Sequence, residues 1–462
     1  MRIRRAFLSV ILILLSTFLP TSRLSAQGNI HEQSQEYVWP TEPEVLDNLH
    51  HWQDLKFGVL LHWGIYSVPG IVESWSICDE NWITRDTTMT YQQYKDWYWG
   101  QAEQFCPTRF DPSQWASVMS EAGMRYMIFT TKHHDGFCMY DSRYTDFSIA
   151  HHAFRDNPRR DVLKYVLDAF RNRGFMTGTY FSKPDWHSQY YWWDVYSTKG
   201  RNVNYPISRH PWRWEQFKQY TTSQIEELMS RYGKVDILWL DGGWVCPENN
   251  QDINMDRIAS MARSYQPHLL IVDRTIRGRY ENYQTPERTI PNAQLDVPWE
   301  SCIPLSDDWG YVRHPRWKSA REVINLLSEI VAKGGSLALG VGPTPDGLIE
   351  PAAVERLQTI GKWLQANGKA IYGTISTPIY NDGKVWFTAS KDGSRLFAIY
   401  TVGEDETLPE QVTWRGNLPR NTRGVRLLST GKRLPCRIEG NQVTVTLPKS
   451  LAREPFALEI LQ

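Results

Sequence analysis

Two acidic residues stand where their carboxylates could act together on a bound substrate. Asp241 directly follows an apolar run and precedes Gly242 and Gly243, so a strand would hold the carboxylate while the glycines let a ligand approach closely. Glu300 follows Trp299, whose apolar ring could raise the pKa of the carboxyl by excluding water. Two carboxylates that face one pocket, a nucleophile and a general acid/base, are the machinery that cleaves glycosidic bonds.

Three histidines could bring further chemistry to the same place. His62 ends an early apolar run, and His133 and His134 end another. Histidines grouped with an aspartate at strand ends can hold a catalytic metal. The usual His-x-His spacing is absent, however, and adjacent histidines on an extended strand point to opposite faces. We therefore favour hydrogen bonding to substrate hydroxyls and expect no metal. Glu73 and Trp75, in the loop after the first strand, could reach this pocket or lie on the surface.

The elements that must position these residues follow one repeated pattern. A helical stretch ends in glycine and a short apolar segment follows at once, as in residues 120–123 before residues 126–129. Glycine suits the left-handed position that ends a helix. Strands that alternate with helices indicate a parallel sheet with helical crossovers. The expected strands lie near residues 57–62, 126–131, 175–181, 235–240, 269–272, 296–300 and 336–341, with one more hidden in an irregular stretch.

Seven or eight such units predict an α/β fold, a (β/α)8-like (TIM) barrel over residues 27–370. No G-x-G-x-x-G opens a helix after the first strand, which weakens the alternative of an open dinucleotide-binding sheet. In a barrel the active site lies where the strands end, and Tyr180, Trp239 and Arg274 also fall at such positions. After residue 370 the segments become short and are separated by Gly, Asn and Pro. That pattern predicts an antiparallel β-sandwich over residues 371–462.

The composition restricts the class of ligand. The 51 basic and 51 acidic residues give a formal net charge of zero, which argues against a dedicated nucleic-acid binder. The chain contains 21 Trp and 23 Tyr, a surplus that either packs a core or supplies stacking platforms for sugar rings. The six Cys are scattered without a C-x-x-C pair, so isolated thiols are expected, although one disulfide of undetermined pairing stays open.

The N-terminal segment has the features of an export signal. Arg2, Arg4 and Arg5 precede an apolar run over residues 6–19, and a small-residue cleavage site ends at Ala26. Residues 1–26 are therefore predicted to be a secretory signal peptide. Its removal would take away four arginines and leave a net charge of about −4. No later apolar run has the length of a membrane span. We expect an exported protein, in a bacterial periplasm or secreted.

Several short motifs stand at the predicted strand ends. They read HWGIYS at residues 62–67, KHHDGF at 132–137, LWLDG at 238–242 and WESC at 299–302, with WGY at 309–311. Together they resemble the α-L-fucosidases of glycoside hydrolase family 29, and the similarity runs from about residue 40 to the C-terminus. The second and third motifs in combination are highly specific, whereas either one alone would be less so.

This resemblance implies a retaining exo-glycosidase that releases terminal α-L-fucose through a covalent fucosyl-enzyme, without a cofactor. Its partners would be fucosylated oligosaccharides or glycoconjugates. The resemblance also implies a barrel followed by a β-sandwich. Asp241 matches the nucleophile, and Arg274 matches an arginine near it. The residues that match ligands of the fucose hydroxyls are His62, His133, His134 and, less closely, Tyr180 and Trp239.

The general acid/base is the least determined role, because its position varies within the family. Glu300 fits the branch with relaxed linkage tolerance, which acts on simple aryl fucosides. Glu73-Ser74-Trp75 departs from the expected Ser-Glu-Trp order, which leaves open whether Glu73 or Trp75 faces the sugar.

Three alternatives remain at this point. The first is a glycosidase for a related sugar such as α-L-galactose, which differs from fucose by one hydroxyl at C6. The second is a non-catalytic carbohydrate-binding barrel, against which the presence of both Asp241 and Glu300 speaks. The third is a metal-dependent hydrolase built on the histidines, which a chelator would inactivate. The natural linkage and the oligomeric state stay open.

Overall fold

The structure is a computed structural model that describes residues 36–86, 88–198, 200–276, 278–420, 424–451 and 453–462. The predicted signal peptide lies outside these residues. The first sheet has seven parallel strands, in the order β5-β4-β3-β2-β1-β7-β6, and it curls as a barrel does. These strands are β1 Phe57–Leu61, β2 Tyr126–Lys132, β3 Met176–Ser182, β4 Ile237–Asp241, β5 Leu270–Asp273, β6 Glu300–Pro304 and β7 Ser336–Val341.

Helices cover the outside of this parallel sheet and cross from one strand to the next. They are α1 Pro43–Leu55, α2 Tyr91–Trp99, α3 Pro112–Glu121, α4 Val162–Arg171, α5 Pro211–Arg231, α6 Met255–Tyr265, α7 Ala320–Ala332 and α8 Pro351–Asn367. The sequence determines where α3 begins. The Asp111 carboxylate caps the helix by accepting hydrogen bonds from the backbone N–H groups of Ser113 and Gln114, and Pro112 occupies the first helical turn. Strands β1, β2, β3, β5, β6 and β7 are buried along their whole length, as expected for a sheet covered on both faces.

One predicted strand is in the wrong place, and the difference matters for the site. A strand was expected near residues 296–300, but β6 begins at Glu300. The gap between β5 and β6 is filled by an irregular segment, residues 281–288. Asn282 N donates to Ile271 O at 2.9 Å, and Arg288 N donates to Cys302 O at 2.8 Å. This segment occupies the eighth position, where the sequence indicated a strand hidden in an irregular stretch.

The C-terminal region is antiparallel, as predicted. Its strands are β8 Thr374–Asp382, β9 Val385–Ser390, β10 Leu396–Tyr400, β11 Gln411–Arg415, β12 Val425–Leu427, β13 Arg433–Leu434, β14 Cys436–Glu439, β15 Gln442–Thr446 and β16 Phe456–Ile460. A six-stranded sheet, β13-β12-β16-β10-β9-β8, lies with a three-stranded sheet, β11-β15-β14. Buried side chains from both sheets, among them Phe387, Trp414 and Val443, form one core, as in a sandwich.

The antiparallel region packs on the helices that follow β6 and β7. The Trp363 indole of α8 donates to Pro455 O at 2.6 Å, and Asn367 Oδ1 accepts from Ala457 N at 3.1 Å. All six cysteines lie within the described ranges, and there they are unpaired. Among the helices of those ranges, none is long and apolar enough to cross a membrane.

Candidate active site

A cavity of about 390 Å³ opens where the parallel strands end. This volume lies within the range of small-molecule binding pockets. The predicted site residues in its wall are His62, Glu73, Trp75, His133, Tyr180, Trp239, Asp241 and Arg274. His134 belongs to the same group, since its Nε2 lies 3.7 Å from Asp241 Oδ2. The structure thus brings together nine of the ten residues proposed from the sequence.

Asp241 is the last residue of β4, and its carboxylate is held on both oxygens. Tyr180, on β3, donates its hydroxyl hydrogen to Oδ2 at 2.6 Å. Arg274, which follows β5, donates from Nη1 to Oδ1 at 2.6 Å. Burial alone would raise the pKa of the Asp241 carboxyl, but Arg274, His134 and Tyr180 together hold it far below its usual range. The carboxylate is therefore ionised and fixed in direction.

Arg274 is itself fixed from several sides. Its guanidinium carbon lies 4.3 Å from the centroid of the Trp239 ring, and Nε donates to Thr285 Oγ1 at 3.0 Å. Trp239 stacks in turn against Tyr180, with ring centroids 5.2 Å apart. The stack and the hydrogen bonds leave the guanidinium little freedom, so its positive charge stays beside the Asp241 carboxylate.

The three histidines are buried neutral groups beside that carboxylate. His133 hydrogen-bonds to Ser74 through Nδ1, and His134 hydrogen-bonds to Ser182 Oγ at 2.6 Å. Burial lowers the pKa of His133 to about 4, and burial also lowers the pKa values of His62 and His134 well below their usual range. A neutral imidazole can both donate and accept hydrogen bonds, which suits the hydroxyl groups of a sugar.

The same cluster could be considered as a metal site. One ligand atom from each of His133, His134 and Asp241 lies within 4.8 Å of the others. Both Asp241 oxygens are already engaged, however, one by Tyr180 and one by Arg274. A fixed guanidinium 2.6 Å from the carboxylate repels a second cation, so this arrangement favours the interpretation without a metal.

The sequence did not determine whether Glu73 and Trp75 face the pocket or the surface. In the structure both line the cavity. The Glu73 carboxylate is buried and accepts from Gly310 N at 2.6 Å. Burial, together with nearby Asp308, raises the pKa of Glu73 to about 7. The Trp75 ring meets the His134 ring edge to face, at 5.1 Å between centroids. This loop therefore forms part of the site.

Glu300 is the predicted residue that the structure does not bring to the cavity wall. It begins β6 rather than ending a strand, and it is fully buried. Its Oε1 accepts from Trp239 Nε1 at 3.2 Å, and the hydroxyls of Tyr126 and Tyr283 interact with the same carboxyl. Burial raises the pKa of Glu300 to about 7. The expected strand-end placement is wrong, and the carboxyl lies behind Trp239, inside the barrel.

A different glutamate takes the position that the sequence assigned to Glu300. Glu287 lines the cavity at the end of the 281–288 segment. Its Oε2 accepts from Arg274 Nη2 at 2.9 Å, and its Oε1 accepts from Trp309 Nε1 at 3.3 Å. Arg274 thus forms a salt bridge with Asp241 through one terminal nitrogen and with Glu287 through the other. The sequence signal for this residue was weak, because no strand pattern precedes it.

Comparison with known proteins shows the family of this chain. A family model described as "Alpha-L-fucosidase" matches residues 24–369. Tissue alpha-L-fucosidase of Macaca fascicularis is 30% identical over 432 residues, which cover 87% of this chain and 83% of that protein. The chain belongs to the α-L-fucosidase family, glycoside hydrolase family 29.

Solved fucosidase structures share the fold. Alpha-L-fucosidase isoenzyme 1 from Paenibacillus thiaminolyticus superposes with a TM-score of 0.75 at 26% identity, over 90% of this chain and 99% of that one. The Thermotoga maritima alpha-fucosidase, solved in complex with fucose, gives a TM-score of 0.71 at 28% identity, over 89% and 96%. This member of the family is accordingly a glycoside hydrolase with a barrel followed by antiparallel sheets.

The fucosidase cavity also includes residues that sequence reasoning missed. Besides Glu287, the side chains that line it and were not anticipated include Trp82, Arg201, Trp244, Arg288, Asp308 and Trp309. Most of them lie on long loops after the strands, where no periodic pattern marks a position. The WGY motif contains Trp309, although no role for it follows from the sequence.

Proposed function

We propose that this fucosidase hydrolyses terminal α-L-fucosides of fucosylated glycans with retention of configuration, through a covalent fucosyl ester on Asp241. Glu287 serves as the general acid/base. The observation that carries the proposal is the Arg274 guanidinium, which holds one carboxylate on each terminal nitrogen. Double displacement uses two carboxyl groups about 5–5.5 Å apart, and a shared guanidinium keeps two carboxylates near each other.

In the first step the ionised Asp241 carboxylate attacks the anomeric carbon. The bond from that carbon to the leaving oxygen breaks, and the Glu287 carboxyl gives its proton to the departing oxygen. Arg274 and Tyr180 keep the attacking carboxylate in one orientation, so no side-chain reorganisation precedes the attack. Glu300 is poorly placed for this transfer, because Trp239 stands between its carboxyl and the cavity.

In the second step water attacks the same carbon from the side that the leaving group vacated. Glu287 takes the water proton, the bond to Asp241 breaks, and fucose leaves with its original anomeric configuration. Esterification removes the negative charge from Asp241, so the Arg274 charge then acts on Glu287 alone.

The fucose ring is held by the neutral histidines and the aromatic walls. Donors and acceptors on His62, His133 and His134 surround the nucleophile, and Trp239 and Trp75 supply apolar faces. The complex of the Thermotoga maritima relative with fucose supports this ligand class. The reaction as written needs only these side chains and water, and no cofactor takes part.

Azide rescue of three variants tests the roles. Asp241→Ala is expected to be nearly inactive on every substrate, and azide should restore turnover with inverted fucosyl azide as product, because azide fills the space of the lost carboxylate. Glu287→Ala should lose far more activity on oligosaccharides than on aryl fucosides with acidic phenols, since only a basic leaving oxygen needs the proton. With such an aryl fucoside, azide should yield the retained product.

Glu300→Gln is the matched control for the acid/base assignment. It keeps the size of a buried glutamate and should affect oligosaccharides and aryl fucosides by the same factor, without any response to azide. If Glu300→Gln instead shows the substrate-dependent loss and Glu287→Ala does not, the two glutamates have the opposite roles. The coupling of the anomeric proton in the NMR spectrum of each fucosyl azide separates inversion from retention.

A further inference from the structure

The cavity extends beyond the groups that the proposed chemistry uses. Its inner part contains Asp241, Arg274 and the histidines, whereas Trp82 and Arg201 lie in its wall without a part in either displacement step. Its volume of about 390 Å³ is in the range that accommodates ligands larger than one monosaccharide. Room is therefore present for the group to which fucose is attached.

Trp82 stands in a tight turn at this cavity. Ile83 N donates to Glu80 O at 3.1 Å and closes the turn, which leaves Trp82 one of its two central residues. Such positions usually carry small or polar side chains. The indole is 51% exposed, and its centroid lies 5.4 Å from that of Trp75. A large aromatic ring thus presents open surface beside the catalytic pocket.

Arg201 reaches the same wall from the loop after β3. Its Nε donates to Glu80 Oε1 at 2.9 Å, which compensates the charge and ties this loop to the Trp82 turn. The guanidinium carbon lies 4.7 Å from the Trp75 centroid and 5.1 Å from the Trp244 centroid. Within the described part of the chain, the two terminal nitrogens have no hydrogen-bond acceptor. The Arg201–Glu80 ion pair therefore has little net charge, and its guanidinium still offers unused donors.

We propose that Trp82 and Arg201 form a leaving-group subsite for a neutral pyranose, the sugar to which the fucose is linked. Trp82 stacks on the apolar C–H face of that ring, and the terminal nitrogens of Arg201 donate to its hydroxyl or acetamido oxygens. The inference rests on the proposed function, because this sugar is the group that departs when Asp241 attacks. An aromatic face and a charge-compensated donor together select for neutral glycans over anionic ones.

A purely structural role for Trp82, as a cover for Trp75, makes a different prediction. Trp75 lines the inner pocket beside His134, so a shift of Trp75 would slow every fucoside alike. A leaving-group subsite affects only substrates that carry a leaving sugar. The decisive quantity is therefore the ratio of kcat/KM for a fucosyl disaccharide to kcat/KM for α-L-fucosyl fluoride, whose leaving group is a single atom.

The test measures this ratio for wild type, Trp82→Ala, Trp82→Tyr and the control Trp212→Ala. The disaccharide is α-L-fucosyl-N-acetylglucosamine of defined linkage. Trp82→Ala should lower the ratio about tenfold, and Trp82→Tyr should restore most of it, because the phenol keeps an aromatic face. Trp212 is 56% exposed on α5 and does not line the cavity, so its replacement should leave the ratio unchanged.

Arg201→Lys provides an independent test of the subsite. Lysine keeps the positive charge beside Glu80 but lacks the planar pair of donors of a guanidinium. It should lower the same ratio about fivefold. An unchanged ratio in both Trp82→Ala and Arg201→Lys would overturn the subsite. Wild-type enzyme without activity on fucosyl fluoride would instead overturn the proposed function, so the two failures are distinguishable.

Discussion

At the scale of single residues, Glu300 serves the site although it does not line the cavity. Its carboxyl accepts from the Trp239 indole, and Arg274 lies against the face of that same indole. Arg274 in turn holds Asp241 and Glu287. A change at Glu300 should therefore reach, through one aromatic ring, both carboxylates that the proposed mechanism uses. We accordingly expect Glu300 to act as a positioning residue.

The raised pKa of Glu300 predicts how stability changes with pH. The folded-state pKa is about 7, against about 4.3 for an exposed glutamate, so folding favours the protonated form. The stabilising contribution is complete below the unfolded-state pKa and is lost as pH rises through 7. Glu300→Gln cannot ionise. Its free energy of unfolding, relative to wild type, should therefore increase by about 3 kcal/mol between about pH 4.3 and pH 7.

Urea unfolding of both proteins over this pH range measures the difference. The buried histidines act in the opposite direction: the pKa of His133 is about 4, so its contribution is present above about pH 6.5 and is lost as pH falls towards 4. Wild type and variant share these histidines, and the subtraction therefore isolates Glu300. A difference that stays constant with pH would show that Glu300 titrates as an exposed glutamate does.

At the scale of elements, the two glycines after β4 have a reason that the sequence did not show. The sequence predicts that these glycines leave room for a substrate to approach Asp241. Gly242 has φ +88°, and a Cβ there would overlap the Pro184 ring in the loop after β3. A Cβ on Gly243 would overlap Thr275, in the loop after β5. The glycines let three strand-end loops pack together around Asp241.

Gly242→Ala should consequently destabilise the protein by about 2–4 kcal/mol, which combines the left-handed backbone with overpacking. Gly383→Ala is the matched control, since Gly383 also has positive φ, at +62°, but a Cβ there would meet no atom within 4 Å. It should cost about 1 kcal/mol. Chemical denaturation gives both values, and kcat/KM should fall only for Gly242→Ala. Equal losses of stability would show that the Pro184 contact relaxes without cost.

The elements also show what the sequence could and could not predict. Apolar runs, four of them preceded by glycine, located six of the seven parallel strands to within about two residues, because full burial leaves a continuous apolar signal. The 281–288 segment has no such signal, since it joins its neighbours through isolated bridges, such as Val272–Glu281 and Glu287–Cys302, rather than through continuous strand pairing. Glu287 lies at the end of that segment. Only the three-dimensional pairing shows that Glu287, and not Glu300, shares the Arg274 guanidinium with Asp241.

At the scale of the whole molecule, polar contacts join the barrel to the antiparallel region, and those made by α8 are buried. The Trp363 indole of α8 donates to Pro455 O, and Asn367 of the same helix accepts from Ala457. On α7, Arg321 donates to the backbone oxygens of Gly403 and Arg453. Because helices α7 and α8 adjoin the barrel strands, these contacts couple the antiparallel sheets to the frame that carries the site.

Trp363→Phe tests this coupling, because phenylalanine keeps an aromatic ring at this position but leaves Pro455 O without its buried donor. An unsatisfied buried carbonyl costs about 1–3 kcal/mol. If the two regions open together, hydrogen exchange should accelerate by about 5- to 150-fold both in α8 and in strands β10 and β16. Trp212→Phe, at an exposed position on α5, should change neither. Acceleration confined to β10 and β16 would mean that the antiparallel region opens alone, since the barrel would then stay closed while the Pro455 contact is broken.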